Sequence, residues 1–180
     1  LGGHGRQRRH RIERRTGNHH RRPVRGHDDP GRARSLGASR DRAEIAWVGD
    51  PVEAVNRVAA QLTDGDESNG EADVIVAEYH EGAGAGTPDG ATLEQELAEQ
   101  SAFTEIVTTT SADVDAIFTG HTHKQYAWDA PIPGVTGKTR PVLQTGSYGE
   151  FIGQITLTVD RESGDVTAYT AKNVARTTVA

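Results

Sequence analysis

The sequence predicts an α/β domain over residues 45–180, preceded by a basic, disordered segment over residues 1–44, and three observations carry that reading. Two continuous apolar runs of strand length, DVIVAEYH and VDAIFTG, read as strands buried on both faces. Each is preceded by a stretch with apolar residues at helical spacing. Near the end, Ile155, Leu157 and Val159 alternate with polar residues before an ESGD turn, as in an antiparallel hairpin.

Taken in order, Ile45 to Val48 is a short apolar strand. Asp50 follows as an N-cap, with Pro51 at N1 and Glu53 at N3, a capping-box pattern that opens a helix. Val52, Val55, Ala59 and Leu62 share one face of that helix, which ends in the acidic surface loop TDGDESNGEAD. The first buried strand then runs to His80, and EGAGAGTPDG reads as a flexible loop. TLEQELAEQSAFTEIVTTT is predicted to be one helix capped by Thr92, with Leu93, Leu97, Ile106 and Val107 as its apolar positions. The second buried strand ends at His121, DAPIPGVTGKTR reads as a loop, and the hairpin closes the chain with no internal repeat.

A chain of 180 residues has room for one domain and buries roughly 70% of its unfolded surface. It holds no run of 18 apolar residues, so no membrane span is expected, and its first residues lack the apolar stretch of a signal peptide. With no cysteine there is neither disulfide nor thiolate metal site. The net charge of −6 averages two unlike segments: residues 1–44 hold 13 arginines and 5 acids, whereas residues 45–180 hold 7 basic and 21 acidic residues. The first segment also has no aromatic residue and too few apolar ones to offset the entropy of ordering it. It admits three readings: an arm for nucleic acid, a solvated tail, or the product of a GC-rich gene read out of frame. The last fits best, because Arg, Gly, His, Pro and Ala dominate and the texture changes abruptly near Glu44. An arm for nucleic acid fits less well, since no aromatic side chain is interleaved to stack on bases.

The chemistry-bearing residues are three histidines. Only three of the eight follow residue 44: His80 and His121 each terminate an apolar strand, and His123 lies two residues further on. In open α/β sheets ligands bind at the carboxyl ends of the strands, so the three imidazoles could converge on a metal. Gly120 before His121 permits a tight turn, and Gly82, Gly84 and Gly86 leave room around His80.

The segments VIVAEYHEGAGAG, DAIFTGHTHKQY and RPVLQTGSYGEFIGQITL resemble the second half of the catalytic domain in the 5'-nucleotidase family of calcineurin-like metallophosphoesterases, including the branch that acts on 2',3'-cyclic nucleotides. The likeness runs from about residue 45 to residue 175. It implies a four-layer α/β/β/α sandwich and two divalent ions, with His80 and His121 on one and His123 on the other. The donor set suits Zn, Mn, Fe or Co. It also implies hydrolysis of nucleotide phosphomonoesters, a small-molecule nucleotide as partner, and an extracytoplasmic or cell-surface location.

The family's Asp-x-His motif and its bridging aspartate have no counterpart here. The GNHH of Gly17 to His20 and the VGD of Val48 to Asp50 mimic two further motifs, in the wrong order, and both are set aside as chance. Activity of these residues alone is therefore expected to be impaired. The rival readings are a related esterase acting on cyclic nucleotides or nucleotide sugars, and a metal- or nucleic-acid-binding fragment without catalysis.

Overall fold

The computed structural model describes residues 49–177. The arginine-rich segment, its GNHH and the strand expected at residues 45–48 lie outside them.

Helix α1 (Pro51–Gln61) begins as the sequence predicts: the Asp50 carboxylate accepts from the Val52 amide at 2.7 Å and from the Glu53 amide at 3.2 Å. That is the chemistry of an N-cap, and it accounts for Asp50 without a metal. Strand β1 (Val76–Glu78) follows, then a short 3₁₀ turn at Thr87–Asp89. The long helix expected after Thr92 is two helices, α2 (Leu93–Ala98) and α3 (Ala102–Thr109). The break has a local cause. Glu99 turns extended, Ser101 caps α3 by accepting from the Thr104 amide, and the Thr104 hydroxyl donates back to the Glu96 and Glu99 carbonyls. The orphan groups of both helix ends are thus satisfied by side chains.

Strand β2 (Ala116–Phe118) pairs parallel with β1. Next come β3 (Gln125–Pro131) and β4 (Thr139–Thr145), an antiparallel hairpin whose connection is the middle of the segment read as a Pro/Gly-rich loop, while the two ends of that segment belong to the strands. Only its connection is irregular: Ile132 and Lys138 close it, with Gly134 and Gly137 at positive φ. Pro131 is tolerated because β3 is an edge strand, where a missing N–H interrupts no ladder. The sheet order is β1-β2-β4-β3. The expected terminal hairpin is present as β5 (Phe151–Val159) and β6 (Val166–Ala175), a separate two-stranded sheet.

Alternation assigns the two faces of the larger sheet. Tyr126, Trp128, Ile117 and Val142 face the helices, and Phe103 of α3 lies edge-on to Tyr126 and Trp128 at 5.7 and 6.0 Å. Burying Phe103 to 1% exposure contributes about 1.5–3 kcal/mol. Leu143, Thr145 and Phe118 face the β5–β6 hairpin, which comes so close at Gly153 that a Cβ there would lie 2.5 Å from Leu143 Cδ2. The described residues thus form helices, a four-stranded sheet and a two-stranded sheet in that order. The hairpin's outer face is open among them, with Ile152 68% and Val174 40% exposed.

One buried cation braces this core. Arg140 of β4 donates to the carbonyls of Ser111, Val114 and Thr110, fixing the connection from α3 to β2. Burial lowers its pKa to about 10, so it remains charged at neutral pH.

Candidate functional site

Because β1 and β2 run parallel and in register, Glu78 opposite Phe118, the residues after them emerge side by side at the carboxyl end of the sheet. His80 and His121 stand there with ring centroids 5.3 Å apart and planes at 69°. Two imidazole nitrogens each about 2.0–2.1 Å from one ion, spread by a tetrahedral angle, place ring centres roughly 5 Å apart. The ring separation is that of two ligands sharing one ion. His123 does not join them; its ring lies 6.2 Å from that of Tyr148. All three histidines are exposed, and no group of three or more His, Asp or Glu side chains among the described residues is placed to hold an ion. Convergence of all three imidazoles is thus replaced by a pair and a single.

The backbone explains the split. Thr122 N–H donates to the Gly120 carbonyl at 2.8 Å across His121, whose φ is 67°. This is a γ-turn with its central residue on the left-handed side, a rare and strained form. His123 and Tyr148 also have positive φ, at 59° and 56°, and these three are the only non-glycine residues so placed among the described residues. Each costs of order 1–3 kcal/mol and persists only where its surroundings dictate it. The left-handed turn falls on both histidines, and His123 has its ring beside Tyr148.

The dictating contacts are long-range. Gly120 N–H donates to the Glu81 carbonyl at 3.1 Å, joining the two histidine-bearing loops. Gly82 lies so near that a Cβ would sit 2.7 Å from Gly120 O and 3.0 Å from Thr122 Oγ1, which gives this glycine a steric necessity. Gln144 of β4, 2% exposed, donates through Nε2 to Thr122 Oγ1 at 2.8 Å, and its buried Oε1 has no partner.

The Tyr126 hydroxyl accepts from the Ala83 amide at 3.1 Å and lies 2.6 Å from Thr119 Oγ1. Since the Thr119 hydroxyl donates to the Leu143 carbonyl, the proton between the two oxygens belongs to Tyr126. Burial pushes the Tyr126 phenol above its ordinary range, which keeps that donor in place.

The glycine-rich loop after His80 is held, contrary to the flexible loop expected. Glu96 of α2, 7% exposed, accepts from the Gly84 and Ala85 amides at 2.8 and 3.3 Å. Beyond it, Lys124 pairs with Asp89 at 3.2 Å. Tyr126, Gln144, Thr122 and Glu96 were not singled out by the sequence. Only Glu96 left a signal, as a carboxylate at an inward position of an amphipathic helix.

Comparison with family models, curated proteins and solved structures found no match. The donor set itself is then the test of the metals implied above. Among the described residues His80 and His121 would offer two ligands to one ion and His123 one to a second, with no carboxylate grouped with them to bridge the two.

Proposed function

We propose that residues 49–177 carry the histidine side of a metal-dependent phosphoesterase centre acting on nucleotide phosphomonoesters. The single observation behind this reading is the His80–His121 pair, 5.3 Å apart at the carboxyl ends of adjacent parallel strands, with His121 held in a strained turn. A divalent ion bound there supplies Lewis acidity and neutralises charge on a phosphoryl group. His80 and His121 present neutral imidazole nitrogens to it. His123 would be the ligand of a second ion. Tyr126 and Gln144 fix the two loops so that the rings do not drift apart. The electrostatics favour cations too: residues 45–180 carry 21 acids against 7 bases and would repel a phosphate unaided, and Lys124 is already paired to Asp89.

The four-layer sandwich and the extracytoplasmic setting belong to the same proposal. The bridging carboxylate would have to come from outside the described residues. A second reading, metal binding without catalysis, is favoured by the lack of a third ligand beside the pair among the described residues.

One experiment separates them. The full 180-residue chain is stripped with chelator and titrated calorimetrically with Zn²⁺, Mn²⁺ and Co²⁺, and phosphate release from adenosine 5'-monophosphate is followed. Binding weakened at least 10-fold in His121→Ala and in His80→Ala, with metal-dependent release lost in both, supports the esterase. Binding with the same histidine dependence but no release supports the second reading. Affinity unchanged in both variants defeats both.

A further inference from the structure

The two residues that brace the histidine loops, Tyr126 and Gln144, stand directly opposite each other on β3 and β4. Behind them is a side chain of the terminal hairpin. Asn173 of β6 donates through Nδ2 to the Tyr126 carbonyl at 3.1 Å and to the Gln144 carbonyl at 2.9 Å. A primary amide carries two donors on that nitrogen, and each carbonyl takes one. Its Oδ1 is buried without a partner among the described residues, so this asparagine is placed to donate.

The hairpin is also seated at this point by its backbone. Gly153 is the register partner of Asn173. A Cβ on Gly153 would meet Leu143 Cδ2 at 2.5 Å and Thr145 Cγ2 at 2.9 Å, and these two residues flank Gln144. From the braces the contacts divide. The Tyr126 hydroxyl accepts from Ala83 in the loop after His80, whereas Gln144 Nε2 donates to Thr122 between His121 and His123. Asn173 is the only side chain among the described residues that is hydrogen-bonded to both braces.

We propose that Asn173 is a positioning residue of the histidine centre: one amide holds the carbonyls of both bracing residues and so fixes the separation of His80 and His121. The inference rests on the metal reading of that pair and adds what governs it, the seating of the terminal hairpin. Asn173 touches neither ion nor substrate and acts through Tyr126 and Gln144. Two ligands bind an ion well when their spacing is held in advance, and side chains behind the ligands raise affinity in this way. Unseating the hairpin therefore weakens the ion.

The full 180-residue chain is compared with three variants. Asn173→Ala removes the amide, and Asn173→Asp keeps its shape without the donors. Leu157→Ala trims the same face of β5 further from the histidines. Amide exchange followed by NMR on the metal-free chain reads the connection without any ion. Corrected for global stability, the Ala83 amide should exchange about 3- to 30-fold faster in both Asn173 variants, as expected for losing one or two neutral hydrogen bonds, and should keep its protection in Leu157→Ala. Zn²⁺ affinity by calorimetry should fall about 3- to 10-fold in the two Asn173 variants, and the visible absorption of bound Co²⁺ should shift, with neither change in Leu157→Ala. Ala83 exchange that does not distinguish the Asn173 variants from Leu157→Ala overturns the inference. So does faster exchange with unchanged affinity and an unchanged Co²⁺ spectrum. If the wild type binds no ion and Ala83 still loosens, the metal reading fails while the hold of Asn173 on the loops stands.

Discussion

The two ends of the four-stranded sheet are built on opposite plans. At the carboxyl end three non-glycine residues sit at positive φ, two imidazoles approach to 5.3 Å, and buried side chains pin the loops from beneath. At the amino end a half-open cavity of about 980 Å³ is lined by Glu71, Asp73, Asp113, Asp115 and Asp165, with Lys138 among them. A phosphate ester would be repelled there, and backbone strain, which is retained only where something requires it, is concentrated at the first. The contrast teaches that chemistry is better located by what a fold holds in place than by the space it leaves.

The largest expected effect on this contrast comes from Gly82→Ala. The added Cβ would meet the Gly120 carbonyl at 2.7 Å, and a backbone atom cannot swing aside as a side chain can. The two loops must separate, at a cost of about 1–3 kcal/mol. Denaturant unfolding should show that loss, and metal affinity should fall with it because the His80–His121 spacing is set by the same approach. A variant of unchanged stability and affinity would mean that the loops are not coupled.

Tyr126→Phe is a smaller lesion at the same end. It leaves the Ala83 amide and Thr119 without the shared hydroxyl while keeping the ring stacked on Trp128 at 4.2 Å. About 1–2 kcal/mol should be lost for the buried donor left unpaired. Hydrogen exchange should place the loosening in residues 81–86, leaving the residues that line the acidic cavity unchanged.

How much of this was legible in the sequence depended on range. The caps at Asp50 and Thr92 were readable because each bonds an amide two or three residues away. So were the strand-end histidines and the final hairpin, which rest on hydrophobic period. Strand β3 was obscured by the Pro and Gly residues beside it, although Tyr126, Trp128 and Ala130 alternate inward. The break between α2 and α3 was missed because helical spacing continues across it, while Ser101 and Thr104 quietly end one helix and start the next. The braces of the site were beyond reach: Tyr126 meets Ala83 across 43 residues and Gln144 meets Thr122 across 22. Glycine 120 suggested a tight turn, but the positive φ falls on the histidine after it, a choice imposed by those distant contacts.

The smallest effect sharpens the comparison through pH. Asp115 sits at the amino end, where its carboxylate accepts from the Ile75 amide at 2.9 Å. Burial raises its pKa above the ordinary aspartate value, and Asp113 and Asp165 push the same way, while the Ile75 bond and Arg140 oppose them. The folded protein therefore takes up this proton before the unfolded chain does. Ionised Asp115 costs stability at neutral pH, and the cost is relieved as pH falls through the raised folded value towards the ordinary one. At the other end Asp89 is lowered, chiefly by the Lys124 side chain, so its contribution is present above the ordinary aspartate value and is lost as pH falls through the lowered one. Asp115→Asn should gain only about a few tenths of a kcal/mol at pH 7, since solvent screens a half-exposed group, and the gain should vanish in acid. Asp89→Asn should show a loss at pH 7 that also closes in acid. Urea midpoints from pH 7 down to pH 3 would read both, and matching signs for the two variants would mean that the ends of the sheet do not differ electrostatically in the way described.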